Sequence, residues 1–125
     1  DWYLRLGPLA NVNARVLHGK IPTWNDFVAH PDYDAFWQRQ TLLPAVGRLA
    51  RVTVPTLHVA GWWDQEDFYG PLAIYQAFER RDPGGLSSLV VGPWRHGGWN
   101  APEGRTLGHI DFGSATARYF RERVQ

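Results

Sequence analysis

The pattern of apolar and polar positions divides the chain into two textures. Up to about residue 50 it is helical and irregular. Trp24, Phe27 and Val28 suit a short helix capped by Thr23, which ends at the His30-Pro31 step because proline disfavours α geometry in the residue before it. A second helix is expected over DYDAFWQRQTLL, with Tyr33, Phe36, Trp37 and Gln40 on one side. The run PAVGRLARVTVP reads as a connection.

From Val54 the signals become β and α in alternation. VPTLHVAG is a β-branched run ending on glycine, with Pro55 tolerable at a strand start. A helix follows, with Pro71 in its first turn and Leu72, Ile74, Tyr75 and Phe78 at helical spacing. RRDPGG supplies turn residues, and LSSLVVGP is a continuous apolar strand of the kind covered on both faces. After a loop rich in glycine and tryptophan, Thr116, Phe120 and Val124 mark a last helix, with Ser114 as its expected cap. The order strand, helix, strand, helix predicts an α/β fold with parallel strands, and residues 61 to 86 are long enough for the crossover. Two strands alone leave both edges unpaired, so the rest of the sheet is expected outside this chain.

Composition narrows the function classes. The 125 residues are 44% hydrophobic and 20% charged, enough for one core and incompatible with wholesale disorder. A net charge of +1 without a basic run gives no electrostatic case for nucleic acid. No apolar run approaches the roughly 18 residues a membrane helix needs. Without cysteine there is no disulfide framework and no thiolate zinc site, and the compartment stays open. Methionine is absent as well, and the chain opens on DWYLRLG, so a processed chain or a piece of a larger protein is expected.

Candidate chemistry lies in two loops, GWWDQEDFYG and VVGPWRHGGW. Sites in parallel sheets form beyond the carboxyl ends of the strands, and neighbouring strands lie roughly 4.8 Å apart. The loop carrying Asp64 leaves the first strand and the loop carrying His96 leaves the second, so the two side chains can meet. An Asp orienting a general-base His is two thirds of a nucleophilic triad. In α/β-hydrolases the order is nucleophile, acid, His, with the serine in G-x-S-x-G. Ser87, Ser88 and Ser114 have no such context, which places the nucleophile upstream of Asp1. Asp64 equally fits a helix N-cap with Asp67 reaching back, and spacing leaves both readings open. Glu66 and Asp67 read as first-turn acids favoured by the helix dipole.

Of the other histidines, His58 reads as a hydrogen-bonded packing residue, while His18, His30 and His109 have no evident partner. His96, His109 and Asp111 lack the fixed spacing of a metal site, and a Ser-His-Asp triad needs neither metal nor organic cofactor, so none is expected. The seven tryptophans admit a non-catalytic, aromatic-rich carbohydrate-binding module in which Trp62, Trp63, Trp94 and Trp99 form a flat platform and Asp64 and His96 stay apart. The alternative is that Trp62 and Trp63 divide between core and pocket rim, Trp37 packs the second helix, and Trp94 and Trp99 keep water from His96.

VPTLHVAGWWDQEDFYG, LVVGPWRHGGWN and HPDYDAFW resemble the serine hydrolases of the X-Pro dipeptidyl-peptidase (S15) and cocaine-esterase-like group, and most of all the α-amino acid ester hydrolases and glutaryl-7-aminocephalosporanic acid acylases. The resemblance spans nearly the whole chain and is strongest from Val54 to Phe120. It implies the C-terminal portion of an α/β-hydrolase catalytic domain over residues 51–125, and part of a helical cap with its connection over residues 1–50. It implies Asp64 as the triad acid and His96 as the base, acting on a small acyl ester, amide or short peptide, with no nucleic-acid or membrane partner. Trp62, Trp63 and Trp99 become candidate pocket residues. Asp34 becomes a candidate ligand for a substrate ammonium, with a helix N-terminal acid as its competing reading. The family's serine motif, its oxyanion tyrosine and its jelly-roll domain have no counterpart here; a homo-oligomeric parent stays open.

Overall fold

The computed structural model describes residues 1–124, which form two compact units divided between Thr41 and Leu42.

The first unit is helical. It contains α1 (Trp2–Leu6), a π-helical turn (Asn13–Leu17), α2 (Pro22–Ala29) and α3 (Ala35–Gln40). Thr23 does not cap α2; the helix starts one residue earlier, on Pro22. Proline's fixed φ and missing N–H suit that first position, which leaves Thr23 inside the helix. Helix α3 is shorter than expected and starts behind Asp34. Trp37 packs against Phe27 of α2, with ring centroids 5.2 Å apart, and donates its indole N–H to the His30 carbonyl at 2.7 Å. At Thr41 the backbone turns extended, at φ −75° and ψ 145°, so the expected helix through Leu43 is broken.

The second unit begins with α4 (Leu42–Gly47), whose Pro44 sits in a first turn where its missing N–H costs nothing. Residues 44–47 of the expected connection are therefore helical. The rest is tied down by Arg81, which donates to the carbonyls of Gly47 and Leu49, and by the Val52 N–H bonded to the Arg81 carbonyl at 2.7 Å. Strand β1 (Thr56–Gly61), helix α5 (Tyr69–Glu79) and strand β2 (Ser87–Gly92) follow. The strands pair in parallel, Thr56 opposite Ser87 through Gly61 opposite Gly92, so both chains leave the sheet at the same end. A short antiparallel pair, β3 (Thr106–Leu107) and β4 (Ile110–Asp111), precedes α6 (Thr116–Arg123). Ser114 does not cap α6 with its side chain; its carbonyl accepts from the Thr116 N–H at 3.0 Å.

Helix α5 covers the sheet. His58 of β1 meets Tyr75 and Phe78 edge-on, at 5.7 and 5.1 Å. It packs as expected but is not fully hydrogen-bonded, because its Nε2 finds no partner among the described residues. Ala60, Ala77, Trp94, Ala117 and Phe120 are buried in this unit. Phe120 alone contributes about 1.5–3 kcal/mol of burial.

Candidate active site

Beyond the carboxyl ends of β1 and β2 the two loops are joined by backbone bonds. The Trp62 N–H donates to the Gly92 carbonyl at 2.8 Å and the Trp63 N–H to the Trp94 carbonyl at 3.0 Å. This close approach requires glycine at 61, since a Cβ there would fall onto the Trp94 carbonyl. Gly92 likewise leaves room for the Trp94 ring.

The stitching brings Asp64 and His96 together across 32 residues of sequence. His96 Nδ1 lies 2.9 Å from Asp64 Oδ2 and 3.2 Å from Oδ1. An ionised carboxylate only accepts, so Nδ1 carries the proton and Nε2 of the neutral ring is the free base. Asp64 Oδ1 also accepts from the Glu66 and Asp67 N–H groups, at 2.8 and 2.9 Å. Contrary to the expectation of first-turn acids, Glu66 and Asp67 do not open a helix. They form an Asx-type turn, and α5 starts only at Tyr69, with Asp67 Oδ1 accepting from the Gly70 N–H at 3.1 Å. The Asp64 side chain is 2% exposed, whereas that of His96 is 46% exposed. The acid is sealed and the base faces outward.

The electrostatics agree with this arrangement. The Asp67 N–H, helped by the Glu66 N–H and by His96, holds the Asp64 carboxyl below its ordinary 3.8 against the opposing effect of burial. The hydrogen bond to Asp64 raises the His96 imidazole above 6.5 against desolvation, and the charges of Asp64, Glu66 and Asp67 push the same way.

The other candidates separate. Trp99 stands edge-on to His96 at 6.3 Å. Trp62 and Trp63 rest on Phe68 and Phe112, and both remain exposed rather than dividing between core and rim. Trp94 is buried, so the flat platform of four tryptophans does not form, and Asp64 and His96 are not apart. Asp34 belongs to the first unit, where Oδ1 caps α3 through the Phe36 N–H at 2.8 Å. Its Oδ2 pairs with His30 Nδ1 at 2.6 Å, so His30 does have a partner. Asp111 is engaged by Arg105 at 3.0 Å and by the Gly113 N–H. A groove of ≈ 550 Å³ lies between β2 and α6, lined by Val90, Pro93, Tyr119 and Val124 among others; it includes neither Asp64 nor His96.

Sequence reasoning missed Glu66 as a neighbour of His96 Nε2. Its Oε2 lies 3.9 Å from His96 Nε2, in the same turn as Asp64. The D-Q-E-D run carried that signal once the turn, rather than a helix start, was known.

Parallel strands with a crossover helix and a His–Asp pair at their carboxyl ends define an α/β fold of the hydrolase type. Solved structures of that type superpose on nearly the whole chain. An aminopeptidase from the marine sediment archaeon Thaumarchaeota archaeon is 38% identical, with a TM-score of 0.88 over 99% of this chain. A selenomethionine-labelled α-amino acid ester hydrolase is 39% identical, with a TM-score of 0.84 over 95%. The chain belongs to the X-Pro dipeptidyl-peptidase (S15) family, which residues 6–98 match. The cocaine esterase of Rhodococcus sp. (strain MB1 Bresler) is 37% identical over 82 residues, 64% of this chain. The chain spans 13% of that esterase, and 20% and 19% of the two solved chains.

Proposed function

We propose that this chain is the acid-and-base portion of a serine hydrolase that cleaves ester or amide bonds of small acyl compounds or short peptides. The observation that carries the reading is the 2.9 Å contact between His96 Nδ1 and a sealed Asp64 carboxylate, with Nε2 left open. In the full-length protein a serine upstream of Asp1 passes its proton to His96 Nε2 as its Oγ attacks the carbonyl carbon. The imidazolium then gives that proton to the leaving alkoxide or amine, whose bond to the acyl carbon breaks. Water repeats the cycle and releases the acid. Asp64 holds the ring in the Nδ1–H tautomer and stabilises its charged form throughout. Residues 1–50 are assigned to a helical cap and its connection, and residues 51–125 to the catalytic domain. Trp62, Trp63 and Trp99 are assigned to the substrate pocket.

Glu66 sharpens the substrate class. A carboxylate 3.9 Å from the base nitrogen favours a cation next to the scissile carbonyl, as in an acyl group bearing an α-ammonium. That chemistry covers α-amino acid esters, β-lactams with amino-acyl side chains and peptides with a free N-terminus. Asp34, committed to capping α3, is not assigned to the ammonium. The test is a fluorophosphonate probe on the full-length protein, wild type beside His96→Ala, with the labelled residue located by mass spectrometry. Labelling of an upstream serine that disappears without His96 is expected; a folded wild type that takes no label overturns the reading.

A further inference from the structure

We infer that Thr116 is a positioning residue for His96, acting through the indole of Trp94; the inference rests on the hydrolase reading above. Trp94 stands two positions before His96, and its carbonyl holds the Trp63 N–H, one position before Asp64. One residue therefore reaches both of the loops that carry the pair. Its ring has little freedom: it is 5% exposed, lies against Gly92 and Gly98, and meets Phe120 edge-on at 5.4 Å. Its Nε1–H donates to Thr116 Oγ1 at 2.9 Å.

The Thr116 hydroxyl is itself fixed, because its proton goes to the Gly104 carbonyl. That leaves a lone pair for Trp94, so the hydroxyl orients the indole instead of merely tolerating it. The 103–104 segment is clamped to α6 in turn, by the Ala117 N–H bonded to the Glu103 carbonyl at 3.0 Å. Arg121, one turn beyond Ala117, donates to the carbonyls of Trp99, Ala101 and Pro102 and holds the adjoining residues of the same loop. Helix α6 thus grips the base loop on both sides of His96. The packing of Trp99 on Trp94, at 6.4 Å, and on His96, at 6.3 Å, extends the grip to the ring itself.

Thr116→Val keeps the shape and leaves the Trp94 N–H and the Gly104 carbonyl without this partner. Thr116→Ser keeps the hydroxyl. In the full-length protein the readout is the rate of fluorophosphonate labelling as a function of pH, beside the His96 titration followed by NMR. Thr116→Val is expected to lower the labelling rate roughly 10–100-fold, the cost of a misplaced catalytic group, and to move the His96 midpoint toward 6.5. Thr116→Ser is expected to stay within about twofold of wild type in rate. Wild-type rate and midpoint in Thr116→Val overturn the inference. So does an equal loss in both variants accompanied by a fall in Tm, which would mark Thr116 as structural only. If the wild type itself takes no label, the hydrolase reading fails separately. The NMR midpoint then decides: a shift in Thr116→Val but not in Thr116→Ser supports positioning, and an unmoved midpoint overturns it.

Discussion

The two units each hold a His–Asp pair built on one local plan. In the first, Asp34 accepts the backbone N–H two residues on with one oxygen and faces His30 Nδ1 with the other. In the second, Asp64 does the same with the Glu66 N–H and His96. The first pair is even the shorter, 2.6 Å against 2.9 Å. What differs is the setting. His30 and Asp34 are four residues apart at a helix start, both side chains are partly exposed, and the His30 ring lies flat on Phe36 at 4.3 Å. His96 and Asp64 come from two strand ends, and only the second carboxylate is closed to solvent. A short contact thus says little about catalysis. A sealed acid, an outward base nitrogen and a place at the carboxyl end of parallel strands say more.

The largest expected effect breaks the comparison directly. In the full-length protein Asp64→Asn is expected to lower turnover about 10⁴-fold, because the ring loses its Nδ1–H tautomer while the fold persists. His30→Ala is expected to leave turnover within about twofold, since its ring is spent on Phe36 and Asp34. Steady-state kinetics on both variants decide the matter. A crippled His30→Ala with an intact Asp64→Asn would reverse the roles of the two pairs.

Glycines test the same contrast through stability. Gly61→Ala drives a methyl group onto the Trp94 carbonyl at the joint of the two loops and is expected to cost about 1–3 kcal/mol. Gly19, in the first unit, has φ +71° and nothing within 4 Å of a Cβ, so Gly19→Ala carries only left-handed backbone strain, about 1 kcal/mol. Thermal melts of the full-length variants should rank them in that order. An equal or smaller loss for Gly61→Ala would mean that the stitching yields easily.

The contrast also explains what the sequence could and could not tell. Strand β1, helix α5 and strand β2 were legible because Pro55, Gly61 and Pro71 punctuate long apolar runs, and their alternation implied the parallel topology. That topology made the meeting of Asp64 and His96 an inference from geometry. The break at Thr41 was not legible, because nothing in QTLLPA but Pro44 opposes a helix, and Pro44 lies far enough along to sit in the next first turn. Strands β3 and β4 have two residues each, too few to show alternation. The His30–Asp34 pair was not legible, because Pro31 separates the end of α2 from the start of α3 and the contact forms across that corner rather than along one helix. The Trp94–Thr116 bond joins residues 22 apart in a region with no periodic pattern to relate them.

A smaller effect sharpens the comparison at the first pair. Asp34→Ala removes the α3 cap and is expected to cost about 1 kcal/mol, confined to the first unit. Amide exchange should quicken in residues 35–40 and stay unchanged at the strand ends around Gly61 and Gly92. Protection lost at those strand ends would show that the two pairs are not independent.

The smallest effect lies in the pH dependence of stability, and its sign follows from the two shifted groups. The His96 pKa is raised in the fold, so its contribution is complete below 6.5 and is lost as pH rises through the raised value. The Asp64 pKa is lowered, so its contribution is present above 3.8 and is lost as pH falls through the lowered value. The pair therefore stabilises most between pH 3.8 and pH 6.5. His58 acts in the opposite sense: burial depresses its pKa, so stability is lost as pH falls below 6.5. A wild-type curve alone mixes the two histidines. The difference in Tm between wild type and His96→Ala cancels His58 and is expected to be largest inside that window and to shrink above it. With His96 half-exposed, solvent screening keeps the difference modest. A difference that grows as pH rises above 6.5 would mean that His96 is held as a neutral ring, and that Asp64 does not stabilise the imidazolium the proposed mechanism requires.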